Sequence, residues 1–200
     1  MKVLSLYFIN IFIKFFFLLT PFFALSMFLS MTTDYKEKEK KKLALRITLS
    51  ASIVCLIIFL FGNHIFYIFG ITIDAFRIGS GGLLFLTAIK LSQGKNSDIN
   101  IDHNDDIVVV PLSIPIIVGP ATIGTLLIMS TEITGFEQKI LSLIALFTAI
   151  LCVGVILFLS ASFEKILKKK GINILSKITG LILSALASQI IFAGIKSFFK

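Results

Sequence analysis

Charge is scarce in this chain: only 15% of its 200 residues are Asp, Glu, Lys or Arg, against roughly a quarter in ordinary soluble domains. With 56% hydrophobic residues and a mean hydropathy of +1.00, water would not keep it folded and dispersed. Cysteine occurs twice, at Cys55 and Cys152, both inside apolar segments where a thiol behaves as a small hydrophobe. A disulfide or metal framework is therefore not expected. The two histidines do not change that. His64 falls at an expected outer turn, and His103 sits in a polar loop with Asp102, Asp105 and Asp106 at a spacing that matches no ligand set. No nucleophile and base, phosphate loop or dinucleotide fingerprint occurs at a usable spacing. An enzyme is thus not expected, and no cofactor is called for. Acidic residues are missing from the middle of every long apolar run, which argues against a carboxylate proton relay.

Long apolar runs are what the chain has instead. A bilayer core about 30 Å thick needs roughly twenty apolar residues in a helix, and six runs qualify: Val3 to Met31, Leu43 to Phe61, Asp74 to Gln93, Ile107 to Ser130, Ile140 to Phe163 and Ile174 to Phe198. The first is too long for a signal peptide and has no convincing small-residue cleavage site, so it is expected to belong to the mature fold. The net charge of +8 sits in short clusters between the runs and not in a stripe across a polar domain, which disfavours a nucleic-acid partner. Thirteen of the 19 Lys and Arg residues fall in or beside the connections after runs one, three and five, chiefly Lys36 to Lys42 and Lys165 to Lys170, and six fall on the opposite side. Short cytoplasmic loops hold the basic excess, so both termini are expected outside a bacterial inner membrane. The partner is then the lipid bilayer. The Lys36 to Lys42 cluster also suits anionic lipid, although a topological role is the plainer reading.

The four prolines are Pro21, Pro111, Pro115 and Pro120, all in runs one and four. Sliding the sequence by 99 positions places Pro21 on Pro120, Gly81 on Gly180, Leu84 on Leu183 and Ala88 on Ala187, and the apolar runs superimpose in order. Three helices per half invert the second half across the membrane, so the expected fold is an all-α membrane protein with a three-plus-three inverted repeat and helices one and four broken at proline. Residues 1–94 and 107–200 would form the halves, joined by a cytoplasmic loop over 95–106. Proline removes an amide donor and displaces a carbonyl, and lipid cannot satisfy the freed groups, so such backbone survives only against protein or a watery cavity. A half-helix N-terminus after Pro21 or Pro120 offers amides to a carboxylate, and the carbonyls before it suit an ammonium. A small zwitterionic solute matches both. The expected binding residues are Thr20, Pro21, Gly119, Pro120, Thr122, Gly124, Thr125 and Gln189.

Other polar residues have plainer readings beside functional ones. Asp74 and Arg77 are three apart on one face and read as an ion pair or a gate. Gln189 serves either as interhelical glue or as pathway lining. Gly180, Ser184 and Ser188 form a small-residue face for close packing. Lys14 is expected to snorkel.

The stretch from Asp106 to Ile123, with Pro111, Pro115, Gly119 and Pro120, resembles the signature of the MarC family of six-helix bacterial membrane proteins. Phe76 to Leu91 is similar to that family's third helix, and Thr20 to Thr32 falls where its first broken helix belongs. The resemblance spans the chain and implies a plasma-membrane transporter or exporter of small neutral amino acids such as glycine and alanine. Two other readings remain open, a channel or facilitator for other small solutes and a membrane protein without transport. Departures from the family pattern fall at Phe22 and Phe23, where the first break usually continues Ile-Gly, and at Ala121, where a glycine usually follows.

Overall fold

The computed structural model describes residues 2–94, 118–133 and 135–199. Every regular element among them is an α-helix: α1 Lys2–Leu18, α2 Pro21–Met31, α3 Glu37–Phe69, α4 Ile73–Gln93, α5 Pro120–Glu132, α6 Phe136–Phe158 and α7 Ser160–Phe198. The first apolar run is thus two helices, α1 and α2, split at Leu19 and Thr20. In the fourth run α5 begins at Pro120, whereas Pro111, Pro115, the 95–106 loop and His103 lie outside the described residues. In both cases proline occupies the first helical position, where its missing amide costs no internal hydrogen bond.

The helix ends differ from the expected ones for local reasons. α3 starts at Glu37 instead of Leu43, because a lysine run does not stop a helix. Glu37 and Glu39 suit the positive N-terminal end, and the Glu39 carboxylate accepts the Lys36 amide at 2.9 Å. The same helix continues past Phe61 through His64, so the turn expected there is helical. It stops where Gly70 takes the left-handed conformation. α6 ends at Phe158 and not Phe163, since Leu159 leaves helical geometry at φ −93° and ψ 18° before α7 restarts at Ser160. Lys168 kinks α7, with φ 52° and ψ 169°.

Leu4–Met31, Glu37–Gly62, Phe136–Phe158 and Ser160–Phe198 are each long and apolar enough to cross a bilayer. α4 is less apolar, but its 21 residues extend about 31 Å. With the α1–α2 pair counted as one span and α5 as half of another, the result is a six-span, all-α integral membrane protein. Bulky apolar side chains such as Ile53, Phe147 and Leu181 cover its outside, as lipid contact requires.

Packing follows the 99-residue offset. α2 lies against α7 as α5 lies against α4, and α2 meets α6 as α5 meets α3. The crossing of α4 and α7 is reciprocal. A Cβ on Gly81 would stand 3.2 Å from the Ala187 carbonyl oxygen, and one on Gly180 would stand 2.8 Å from that of Ala88. Only glycine permits such an approach, and Leu84, Leu183, Ala88 and Ala187 fill the interface around it. One end of the bundle gathers Lys41, whose ammonium lies 5.5 Å from the Phe158 ring centre, and Lys177, which lies beside Gly94. The other end gathers Asp74, Arg77, Glu132 and Ser197.

Candidate functional site at the helix breaks

The two breaks touch. Thr122, in the first turn of α5, donates its buried hydroxyl to the carbonyl oxygen of Leu18, the last residue of α1, at 3.4 Å. That carbonyl lies at an α-helix C-terminus, where the final oxygens lack intrahelical amides. Around it, Phe15 and Phe17 accept the amides of Leu19 and Thr20, and the Thr20 carbonyl already accepts Ala24 of α2. The Gly119 carbonyl accepts Ile123 in the same way. Neither α2 nor α5 has a side-chain cap. Their first-turn amides and positive dipole ends therefore converge near the negative C-terminal end of α1. Amides on one side and carbonyls on the other form the kind of polar surface that can hold a carboxylate and an ammonium together.

A cavity of about 120 Å³ adjoins this junction, room for several waters. Leu18 borders it at the break, Thr125 and Gln189 supply polar groups, and Lys14 and Glu132 supply charges of opposite sign. The Thr125 hydroxyl donates back to the Ala121 carbonyl at 2.9 Å, which leaves its oxygen free to accept from a ligand. Lys14 lies four residues before Leu18, about 6 Å along the helix. Among the described residues it forms no ion pair within 4 Å.

A charged cluster that shares Glu132 with this cavity closes the end of the bundle. Arg77 on α4 contacts Asp74 at 2.7 Å and Glu132 on α5 at 2.8 Å, and the second Asp74 oxygen accepts the Ser197 hydroxyl of α7 at 2.8 Å. Three helices are thereby tied together by partly exposed groups.

The expected site residues therefore divide by place. Thr20, Pro21, Gly119, Pro120 and Thr122 form the two breaks, and Thr125 and Gln189 share the cavity. Gly124 faces elsewhere: a Cβ there would stand 2.5 Å from that of Ser80, so its role is close packing of α5 on α4. Asp74 and Arg77 lie at the helix end, away from the breaks. Three partners lay outside the expected set: Lys14, Glu132 and Ser197. Two had a readable signal. Lys14 precedes the break by one turn, and Glu132 follows Thr125 by seven residues on one helix face. Ser197 had none.

The chain matches the family described as MarC family integral membrane protein over residues 5–199. It is 34% identical to a UPF0056 membrane protein of Methanocaldococcus jannaschii, an alignment covering 98% of this chain and 89% of the relative. It is 31% identical to the UPF0056 membrane protein YvbG of Bacillus subtilis over 96% of this chain and 95% of that one, and 29% identical to one from Aquifex aeolicus over 100% and 97%. No solved structure is a significant match. With nearly its whole length matched, this chain belongs to the MarC family of multi-pass integral membrane proteins.

Proposed function

We propose that this protein carries small neutral amino acids, of the size of glycine or alanine, across the membrane through the junction of its two broken helices. The observation that carries the reading is the contact between the Thr122 hydroxyl and the Leu18 carbonyl. It joins a helix C-terminus to a helix N-terminus beside a small cavity with both hydroxyl and amide groups. Thr20, Pro21, Gly119 and Pro120 supply the irregular backbone, and Thr125 and Gln189 line the approach. In this reading residues 1–94 and 107–200 are the two inverted halves. The lysine-rich end faces the cytoplasm of a bacterial inner membrane, and both termini lie on the far side.

A transport-inactive protein is the second reading, and one observation favours it. Phe22, one residue past Pro21, packs edge-on against Phe16 of α1 with ring centres 6.4 Å apart, filling space beside the first break. Counterflow of labelled glycine and alanine in proteoliposomes separates the two. Saturable exchange that Gly119→Leu and Pro120→Ala abolish supports the transporter. Flux equal to that of empty liposomes, for these and other small solutes, removes it.

A further inference from the structure

The α2 helix borders a second cavity, of about 280 Å³, at the lysine-rich end of the bundle. Ser26, Leu29 and Ser30 of α2 and Thr33 in the turn that follows it line the cavity from this side, at i, i+3, i+4 and i+7. The 120 Å³ cavity toward the other end is lined from α5 by Thr125, Ile128, Met129 and Glu132. These are the same four positions displaced by the 99-residue repeat. Two copies of one helix face, each starting at a proline break, thus border cavities that lead to opposite ends of the bundle.

Resting on the transport reading above, we infer that these two faces are the walls of the two mouths of one solute path, which meet at the helix breaks. The chemistry of the mouths is alike. Each holds ammonium and carboxylate groups: Lys14 and Glu132 in one, Lys40, Lys169 and Glu164 in the other. Among the described residues, Lys14, Lys40, Lys169 and Glu164 form no ion pair within 4 Å. A small zwitterion finds an ammonium for its carboxylate and a carboxylate for its ammonium in either mouth. The mouths differ in closure. Glu132 is tied to Arg77, whereas among the described residues its repeat counterpart Thr33, in the turn after α2, donates its hydroxyl only to the Leu29 and Ser30 carbonyls just before it. The α5 mouth therefore has a charged latch across helices that the α2 mouth lacks.

Cysteine accessibility tests the path without reference to any substrate. In a Cys55→Ala, Cys152→Ala background of the full chain, Ser26→Cys and Thr125→Cys occupy the deepest matched pair. Ile53→Cys and Leu151→Cys, on the exposed apolar surface, are the lipid-facing comparators. An impermeant sulfonate-bearing methanethiosulfonate is applied to intact cells and to inside-out vesicles. The expected result is modification of Ser26→Cys from the lysine-rich side and of Thr125→Cys from the other, each at least about tenfold faster than the comparators, which face lipid that excludes the charged reagent. Met129→Cys, on the same α5 face, replaces Thr125→Cys if that variant does not fold. Reaction of both from one side, or at the comparators' rate, overturns the proposal. Side-specific reaction together with absent amino acid counterflow keeps the path and removes the substrate class.

Discussion

The two helix breaks do the same job with different chemistry. At the first, Thr20 is forced into the left-handed region at φ 47° and ψ 56°, a conformation uncommon for a β-branched residue. At the second, Gly119 is extended at φ −74° and ψ 171°, where any residue fits. The strained position thus carries threonine and the relaxed one carries glycine. Past the prolines the contrast continues, with Phe22 and Phe23 in α2 against Ala121 and Thr122 in α5. Among the described residues, only the second break places a hydroxyl on the other's carbonyl. The lesson is that a repeat preserves the backbone event, a helix interrupted at proline, while the side-chain contact between the breaks comes from one copy.

The largest expected effect concerns the helix crossing that holds the halves together. In Gly180→Ala the new methyl meets backbone oxygen of Ala88 at 2.8 Å and Cβ of Leu91 at 2.9 Å. The cost is about 1–3 kcal/mol, read as a lower thermal midpoint in detergent. Its repeat partner Gly81→Ala meets Cγ1 of Ile191 at 2.7 Å but backbone only at 3.2 Å, the Ala187 carbonyl oxygen, so its backbone conflict is milder and it is expected to lose less. Equal losses would break the asymmetry. Next comes Thr122→Val, which removes the bridge to Leu18 and is expected to slow exchange up to about tenfold, the worth of one hydrogen bond. Phe23→Leu at the matching position is expected to leave exchange within about twofold, since no polar contact is lost. Arg77→Gln opens the end latch, and its partly exposed ion pairs predict a stability loss under about 1 kcal/mol in the same melting measurement. The smallest effect is a gain: Thr20→Asn suits the left-handed region and should raise stability by about 0.5–1 kcal/mol.

Much of this architecture was legible because apolar run length and proline position are one-dimensional signals. Runs three and six match α4 and the membrane part of α7 closely. The ends of α3 were not legible, since a lysine cluster and the Gly62-Asn63-His64 segment look like stops but do not prevent helical hydrogen bonding. The signal that does end α3, Gly70 in the left-handed conformation, is one glycine among 13. The site was legible as far as the breaks and the mid-span polar residues Thr125 and Gln189. From sequence Lys14 reads as snorkelling, because an apolar helix alone does not reveal whether its lysine faces lipid or a cavity. From sequence Gly124 reads as ligand-facing, because nothing there reveals that Ser80 stands opposite it.

The central claim is that the two breaks make one binding site. Scintillation-proximity binding of labelled glycine to the purified chain tests it most directly, with Gly119→Leu and Thr122→Val beside wild type. The account predicts one saturable site per chain, lost in Gly119→Leu and weakened up to about tenfold in Thr122→Val. Binding that is unchanged in both variants, or absent for glycine, alanine and other small neutral solutes in wild type, would contradict it.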